Sequence, residues 1–266
     1  MATKTEVNSQ LTERLRELHL PAFRDCFSEE ADRARKATTS YERYLLELAE
    51  REAEARRQNR IERLLRASKL PPGKTFETFD LKRLPAKVAS QVNVLAEGAF
   101  LGNAENVLAF GNPGSGKTHL LSAIGHELVY QGHRVLFADC SLLVQDLLIA
   151  KKELRLAKAL KKLAKFEALV IDDIGYVQHD REEMEVLFTL LADRYERTSV
   201  MLTSNLPFSK WELIFKDPMT TAAAIDRLVH HSVILELNLS SYRLEHSKGK
   251  KAKAGGEGEQ SKVAHP

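Results

Sequence analysis

Eight consecutive residues, Gly111-Asn112-Pro113-Gly114-Ser115-Gly116-Lys117-Thr118, match the pattern G-x-x-x-x-G-K-S/T at every position. The chemistry of that spacing is phosphate binding. Glycines let backbone N–H groups converge on phosphate oxygens at a helix N-terminus. The Lys117 ammonium would bridge the outer phosphates of ATP, and the Thr118 hydroxyl would offer a ligand to Mg²⁺. Further on, Leu169-Val170-Ile171-Asp172-Asp173 is an apolar run that delivers two carboxylates to the carboxyl edge of a sheet, where ligands of open α/β sheets bind. Asp172 is expected to hold Mg²⁺ through water, and Asp173 to orient or activate an attacking water. A third apolar run, Val200–Ser204, ends in Asn205. If that strand lies beside the first, Asn205 would reach the γ-phosphate or the water, although an asparagine after a strand is also an ordinary turn former.

Short apolar segments and helical patterns must position these groups. Strands are predicted at Asn106–Phe110, Arg134–Ala138, Ala168–Ile171, Val200–Ser204 and Ser232–Leu237, with helices after most of them, including one over His119–Tyr130. That alternation predicts an α/β domain built on a largely parallel sheet flanked by helices. The N-terminal part reads differently, as a small α-helical domain over residues 1–70. Leu11, Leu15 and Leu18 share a helix face, Pro21 suits the start of a second helix, and Thr39-Ser40-Tyr41-Glu42 reads as a capping box before a long third one. In that third helix Tyr44, Leu45, Leu48, Ile61, Leu64 and Leu65 recur at helical spacing, around a polar stretch dense in arginine from Arg51 to Arg66. Pro71-Pro72-Gly73 opens a linker over 71–84, the ATPase domain follows over 85–246, and the lysine- and glycine-rich residues 247–266 are expected to be disordered.

The composition sets the outer limits. Of 266 residues 43% are hydrophobic and 29% charged, so most of the chain is expected to be globular. No stretch approaches the length of an apolar membrane span, and the first residues lack the apolar core of a secretory signal. Cys26 and Cys140 lie far apart without metal-ligand companions and suit a reducing cytoplasm. The histidines likewise show no companion set for a metal. The net charge is only +3, but the basic residues cluster. Lys151, Arg155, Lys158, Lys162 and Lys165 fall on one face of a single predicted helix, with Leu156, Leu160 and Leu163 on another. A cationic stripe of that kind suits DNA phosphates, and equally a solvated face. Arg194 and Arg197 are read as helix-end arginines meeting the helix dipole, and Trp211 as packing.

These elements in this order resemble the AAA+ ATPases, and more closely the IstB family of insertion-sequence helper ATPases, with the DnaC helicase loader as a relative. The resemblance rests on GNPGSGKTHLL, LVIDDIGY, the TSN strand end, FSKWELIFKDPMTTAAAIDRLVHHS and SYR, and extends to KTFETFD and the N-terminal helices. It implies an AAA+ fold, and the residues after the fifth predicted strand are too few for the usual lid, so little or no lid domain is expected. The resemblance also implies an arginine finger at Arg227 that reaches a neighbouring subunit's nucleotide, a second sensor at Arg243, and a nucleotide-binding place for His119, which follows the phosphate loop in a typical family position. The glycine that usually precedes SYR is replaced here, in Leu239-Ser240-Ser241. Related motors carry glutamate where this chain has Asp173, which implies slow intrinsic hydrolysis stimulated by a partner. By resemblance the protein would be a cytoplasmic, oligomerising ATPase that binds double-stranded DNA and assists an IstA-like transposase. A DnaC-type loader with a preference for single strands stands as the alternative. A small-molecule kinase would leave Arg227, Asn205 and the basic residues without a role, and a nucleotide-gated scaffold would hydrolyse little.

Overall fold

The computed structural model describes residues 3–174, 181–215, 217–239 and 241. Arg243 and the tail over 247–266 therefore lie outside the described residues. The chain divides into two compact units, residues 1–63 and 64–266.

The first unit consists of α1 (Lys4–Glu17), α2 (Pro21–Lys36) and most of α3 (Tyr41–Ser68). Thr3 and Glu6 form a reciprocal capping box at α1. Pro21 takes the first turn of α2, where its missing N–H costs nothing. The cap of α3 is Ser40, whose Oγ accepts from Arg43 N at 3.3 Å, rather than a Thr39–Glu42 box. Leu15, Phe27 and Leu48 form the buried core of the unit. Leu18 and Leu45, which share helix faces with core residues in the sequence, are largely exposed. Two carboxylates are buried, and arginines of α3 neutralise both. Glu30 pairs with Arg51 at 2.6 Å. Glu52 accepts from Ala22 N at 2.8 Å and Phe23 N at 3.3 Å, satisfying the start of α2, and from Arg56 at 2.8 Å. Part of the arginine run is thus structural.

The second unit is a parallel sheet of five strands, β1 (Asn106–Gly111), β2 (Val135–Asp139), β3 (Ala168–Ile174), β4 (Ser199–Ser204) and β5 (Ser232–Leu237), in the order β2-β3-β4-β1-β5. Its helices are α4 (Ala86–Ala96), α5 (Lys117–Tyr130), α6 (Cys140–Lys152), α7 (Leu156–Leu163), α8 (Arg181–Arg194), α9 (Glu212–Phe215) and α10 (Pro218–Val229). Central parallel strands are covered on both faces, so their sequences are continuous apolar runs rather than alternations. The pleat still sorts them. Val107 and Ala109 of β1 join Leu120, Leu121 and Ile124 of α5 in one cluster. Leu108, with Ile171 and Leu202, joins residues of α6, α8 and α10 in the other. Trp211 is fully buried in that second cluster, and its indole N–H donates to Leu206 O at 3.1 Å. Cys140 is buried there too, and burial pushes its thiol up to about 12, so it behaves as a small hydrophobe.

Two buried polar residues fasten helices to the sheet. Asn106, at the start of β1, accepts from Val200 N at 2.8 Å and donates to Leu228 O at 3.1 Å and Arg227 O at 3.4 Å. The end of α10 is thereby tied to the strand that leads into the phosphate loop. Arg194 is 1% exposed and donates to Leu163 O, Phe166 O and Ser199 O at 2.9–3.1 Å. It meets a helix C-terminus as expected, but that of α7. Burial pulls its pKa down to about 10. Among the described residues, no helix is long and apolar enough to cross a membrane.

The single basic helix expected over residues 151–165 is two helices. α6 ends at Lys152, Leu154 takes a left-handed φ of 56°, and α7 starts at Leu156. Lys151 pairs with Glu185 at 2.8 Å, and Arg155 pairs with Glu153. Lys158, Lys162 and Lys165 are exposed. Leu156, Ala159, Leu160 and Leu163 turn the other side of α7 onto the core.

Candidate nucleotide site

The strand order decides what can meet. β4 lies between β1 and β3, with Phe110 opposite Ser204 and Ile171 opposite Leu202. The loop after β1, the acidic end of β3 and the polar end of β4 therefore converge at one sheet edge, as ligand sites of open α/β sheets do. A cavity of about 270 Å³ opens there, lined by residues 113–119, Asp173, Thr203 and Asn205.

The loop needs its glycines for two reasons. Gly114 and Gly116 have φ of 81° and 96°, which side chains disfavour. A Cβ at Gly114 would also lie 2.3 Å from Ser241 Oγ. Gly116 caps the N-terminus of α5 without a side-chain acceptor, so the first amides of that helix point toward the cavity unclaimed by a cap. Ser115 Oγ is buried and has no hydrogen-bond partner among the described residues.

Lys117 is 6% exposed, and its ammonium donates to Gly111 O at 2.8 Å, Asn112 O at 3.0 Å and Asn205 Oδ1 at 2.5 Å. Asn205 in turn donates from Nδ2 to Asp173 Oδ1 at 2.8 Å. One amide thus joins the phosphate-loop lysine to the acidic strand end. Asp173 has a φ of 65° and lies in an irregularity of β3. Asp172 is held through Oδ1, which accepts from Thr203 Oγ1 at 2.7 Å, and it does not itself line the cavity. Thr118 lines it. The Thr118 hydroxyl with the two carboxylates is an all-oxygen donor set, the kind that suits Mg²⁺.

One wall went unassigned in the sequence. Lys74, Thr78, Phe79, Asp80 and Arg83 line the cavity. His119 fastens this wall: its Nε2 lies 3.0 Å from Thr75 O and 3.1 Å from Thr78 Oγ1, with the Phe79 ring edge-on at 5.1 Å. Burial pushes His119 below the usual histidine range. In the sequence this segment entered only as KTFETFD, part of the family resemblance, with no role attached.

Arg227 does not line this cavity. Its guanidinium lies 4.7 Å from the Phe188 ring centroid, and Nη1 donates to Ala223 O at 3.0 Å. Beyond it, Glu196, His230 and His231 bring ligand atoms within 4.8 Å of one another. The sequence suggested no companion for these histidines, because Glu196 comes from the distant turn before β4. All three residues are exposed.

Comparison with known proteins follows the same line. The family model of the IstB-like ATP binding protein matches residues 13–250. An insertion sequence ATP-binding protein of Sinorhizobium fredii is 43% identical over 86% of this chain and 77% of its own length. The insertion sequence IS21 ATP-binding protein of Pseudomonas aeruginosa is 39% identical over 84% of this chain and 83% of its own. Among solved structures, the DnaC helicase loader superposes with a TM-score of 0.52 at 19% identity, covering 63% of this chain and 98% of that one. At that identity the likeness concerns the fold alone.

Proposed function

The chain belongs to the family of IstB-like ATP binding proteins, and from that premise we propose that it is a Mg²⁺-dependent, oligomerising ATPase that binds double-stranded DNA and assists a transposase. The observation that carries this reading is the linkage of Lys117, Asn205 and Asp173 beside the phosphate loop in one cavity. The backbone amides from Gly114 to Thr118 cradle the phosphates, with Gly111, Asn112 and Pro113 shaping the loop. Lys117 turns from its resting acceptors to the outer phosphates. Thr118 and Asp172 hold Mg²⁺, which when bound neutralises charge on the transferring phosphoryl group. Asp173 takes up the proton of the attacking water, and Asn205 orients that water. His119 secures the wall formed by Thr75, Thr78 and Phe79, and Arg243 reads the nucleotide in cis.

Arg227 acts in trans on a neighbouring subunit's nucleotide, so hydrolysis depends on assembly. Its place outside its own cavity agrees with that role. Lys158 and Lys162, exposed on α7, and Lys165, exposed just after it, contact DNA phosphates, while Lys151 and Arg155 contribute after leaving their carboxylate partners. Residues 1–70 serve partner or DNA interaction, 71–84 link them to the ATPase domain, and the protein works in the cytoplasm.

The test is to size the protein with and without ATP on double-stranded and single-stranded DNA, beside Arg227→Ala. Large ATP-dependent assemblies on duplex, lost in Arg227→Ala, are expected. A monomer indifferent to nucleotide and duplex contradicts the reading, and a single-strand preference would favour a helicase-loader role.

A further inference from the structure

The register between β3 and β4 contains one residue too many on the β3 side. Ile171 pairs with Leu202 and Ile174 with Ser204, so Asp172 and Asp173 together face the single residue Thr203. This two-against-one count is a β-bulge, which interrupts the ladder and re-aims the bulged side chains. The interruption would strand the amide of Asp173 at a buried strand end. It does not, because Thr203 Oγ1 accepts from Asp173 N at 2.7 Å. The same hydroxyl donates its proton to Asp172 Oδ1 at 2.7 Å. Thr203 itself is 1% exposed, which holds its hydroxyl in place between the two groups.

From this geometry we propose that Thr203 is the positioning residue of the acidic pair: its hydroxyl replaces the missing ladder bond, holds Asp173 in its left-handed conformation and fixes the carboxylate of Asp172 for Mg²⁺. The proposal rests on the nucleotide-site reading above. The residue type follows from the task. One atom must accept from an amide and donate to a carboxylate at once, which a hydroxyl does and an alkyl group or an ammonium does not. A left-handed aspartate is tolerated but still costs more than ordinary strand geometry, and the Thr203 bond to its amide offsets that cost. With the hold removed, Asp173 drifts toward ordinary strand geometry and Asp172 turns freely, so the metal ligand and the water-activating group lose their common frame.

The experiment compares wild type with Thr203→Val, which keeps the shape and loses the hydroxyl, and Thr203→Ser, which keeps the hydroxyl. Three readings are taken. In the nucleotide-free protein, hydrogen exchange of the Asp173 amide is expected to speed up about tenfold or more in Thr203→Val. With a fluorescent ATP analogue, the Mg²⁺ concentration at half-saturation is expected to rise about tenfold, while affinity in EDTA is unchanged; a merely structural defect would lower both. Turnover falls by at least the same factor, and Thr203→Ser stays close to wild type in all three. Thr203→Ala carries the same expectations as Thr203→Val, so poor folding of one variant does not decide the matter. Wild-type exchange and wild-type Mg²⁺ dependence in Thr203→Val or Thr203→Ala overturn the proposal, as does a Thr203→Ser that behaves like Thr203→Val. A wild-type protein without Mg²⁺-dependent nucleotide binding overturns the nucleotide-site reading as well.

Discussion

Removing the Asn205 side chain should push nucleotide affinity and turnover in opposite directions. At rest the three protons of the Lys117 ammonium are directed to Gly111 O, Asn112 O and Asn205 Oδ1. An incoming phosphate must displace at least one of these, and the side-chain contact is the one that can yield without moving the loop. A hydrogen bond to a charged group contributes about 1.5–3 kcal/mol. Because Asn205 is partly exposed, about 1 kcal/mol is the fair share for this one, or roughly fivefold in binding. Asn205→Ala should therefore bind ADP about fivefold more tightly than wild type. The same change removes the 2.8 Å contact to Asp173 Oδ1 and with it the orientation of the attacking water. Turnover should fall by about a hundredfold, the low end of what positioned acid–base catalysis contributes. Titration with a fluorescent ADP analogue and single-turnover phosphate release measure the two effects separately. Weaker ADP binding in Asn205→Ala would refute the competition argument, and unchanged turnover would refute the role of Asn205 in the chemistry.

Three further outcomes follow from the same geometry. Arg194→Met leaves the carbonyls of Leu163, Phe166 and Ser199 without their donor and should cost about 3 kcal/mol or more in urea unfolding; a loss under about 0.5 kcal/mol would contradict the account. His119 is held below the usual histidine range by burial, so the unfolded chain takes up its proton first as pH falls. Its contribution to stability is thus complete above about pH 6.5 and lost as pH falls below that, and the melting midpoint of wild type should drop more steeply than that of His119→Gln between about pH 7 and 5. Lys158→Ala with Lys162→Ala should weaken duplex binding and reduce the slope of log affinity against log salt by about 2; an unchanged slope would place DNA elsewhere.

What the sequence disclosed was whatever local patterns carry. Each predicted strand exists within a few residues of its expected place, because buried parallel strands are written as apolar runs bounded by polar ends. The phosphate loop and the acidic pair were legible because their spacing is set by backbone geometry around a phosphate. Asn205 was legible only conditionally, since its reach depended on β4 lying beside β1, a fact of topology. Thr203 was in view within the TSN strand end, but its task arises from a bulge in β3 that no residue pattern announces. The basic stripe misled because helical spacing was carried through Leu154, where a left-handed residue breaks the helix and resets the faces. Arg194 and Asn106 share a cause: each satisfies carbonyls brought close only by tertiary packing. The wall from Lys74 to Arg83 likewise belongs to the site through its contacts with His119 and not through a motif.

If this cavity hydrolyses ATP with Asp173 as the water-activating group, phosphate release depends on that carboxylate. The direct measurement is phosphate release from ATP and Mg²⁺ by wild type and Asp173→Asn in the presence of duplex DNA, with binding of a fluorescent ATP analogue followed in both. Asparagine tolerates the left-handed conformation that residue 173 adopts, so the backbone of the site is preserved while the carboxylate is lost. Nucleotide binding by Asp173→Asn is expected within a few-fold of wild type, with hydrolysis lower by about a hundredfold or more. Hydrolysis by Asp173→Asn at the wild-type rate, or a wild type that binds nucleotide and DNA without releasing phosphate, would contradict this reading of the site.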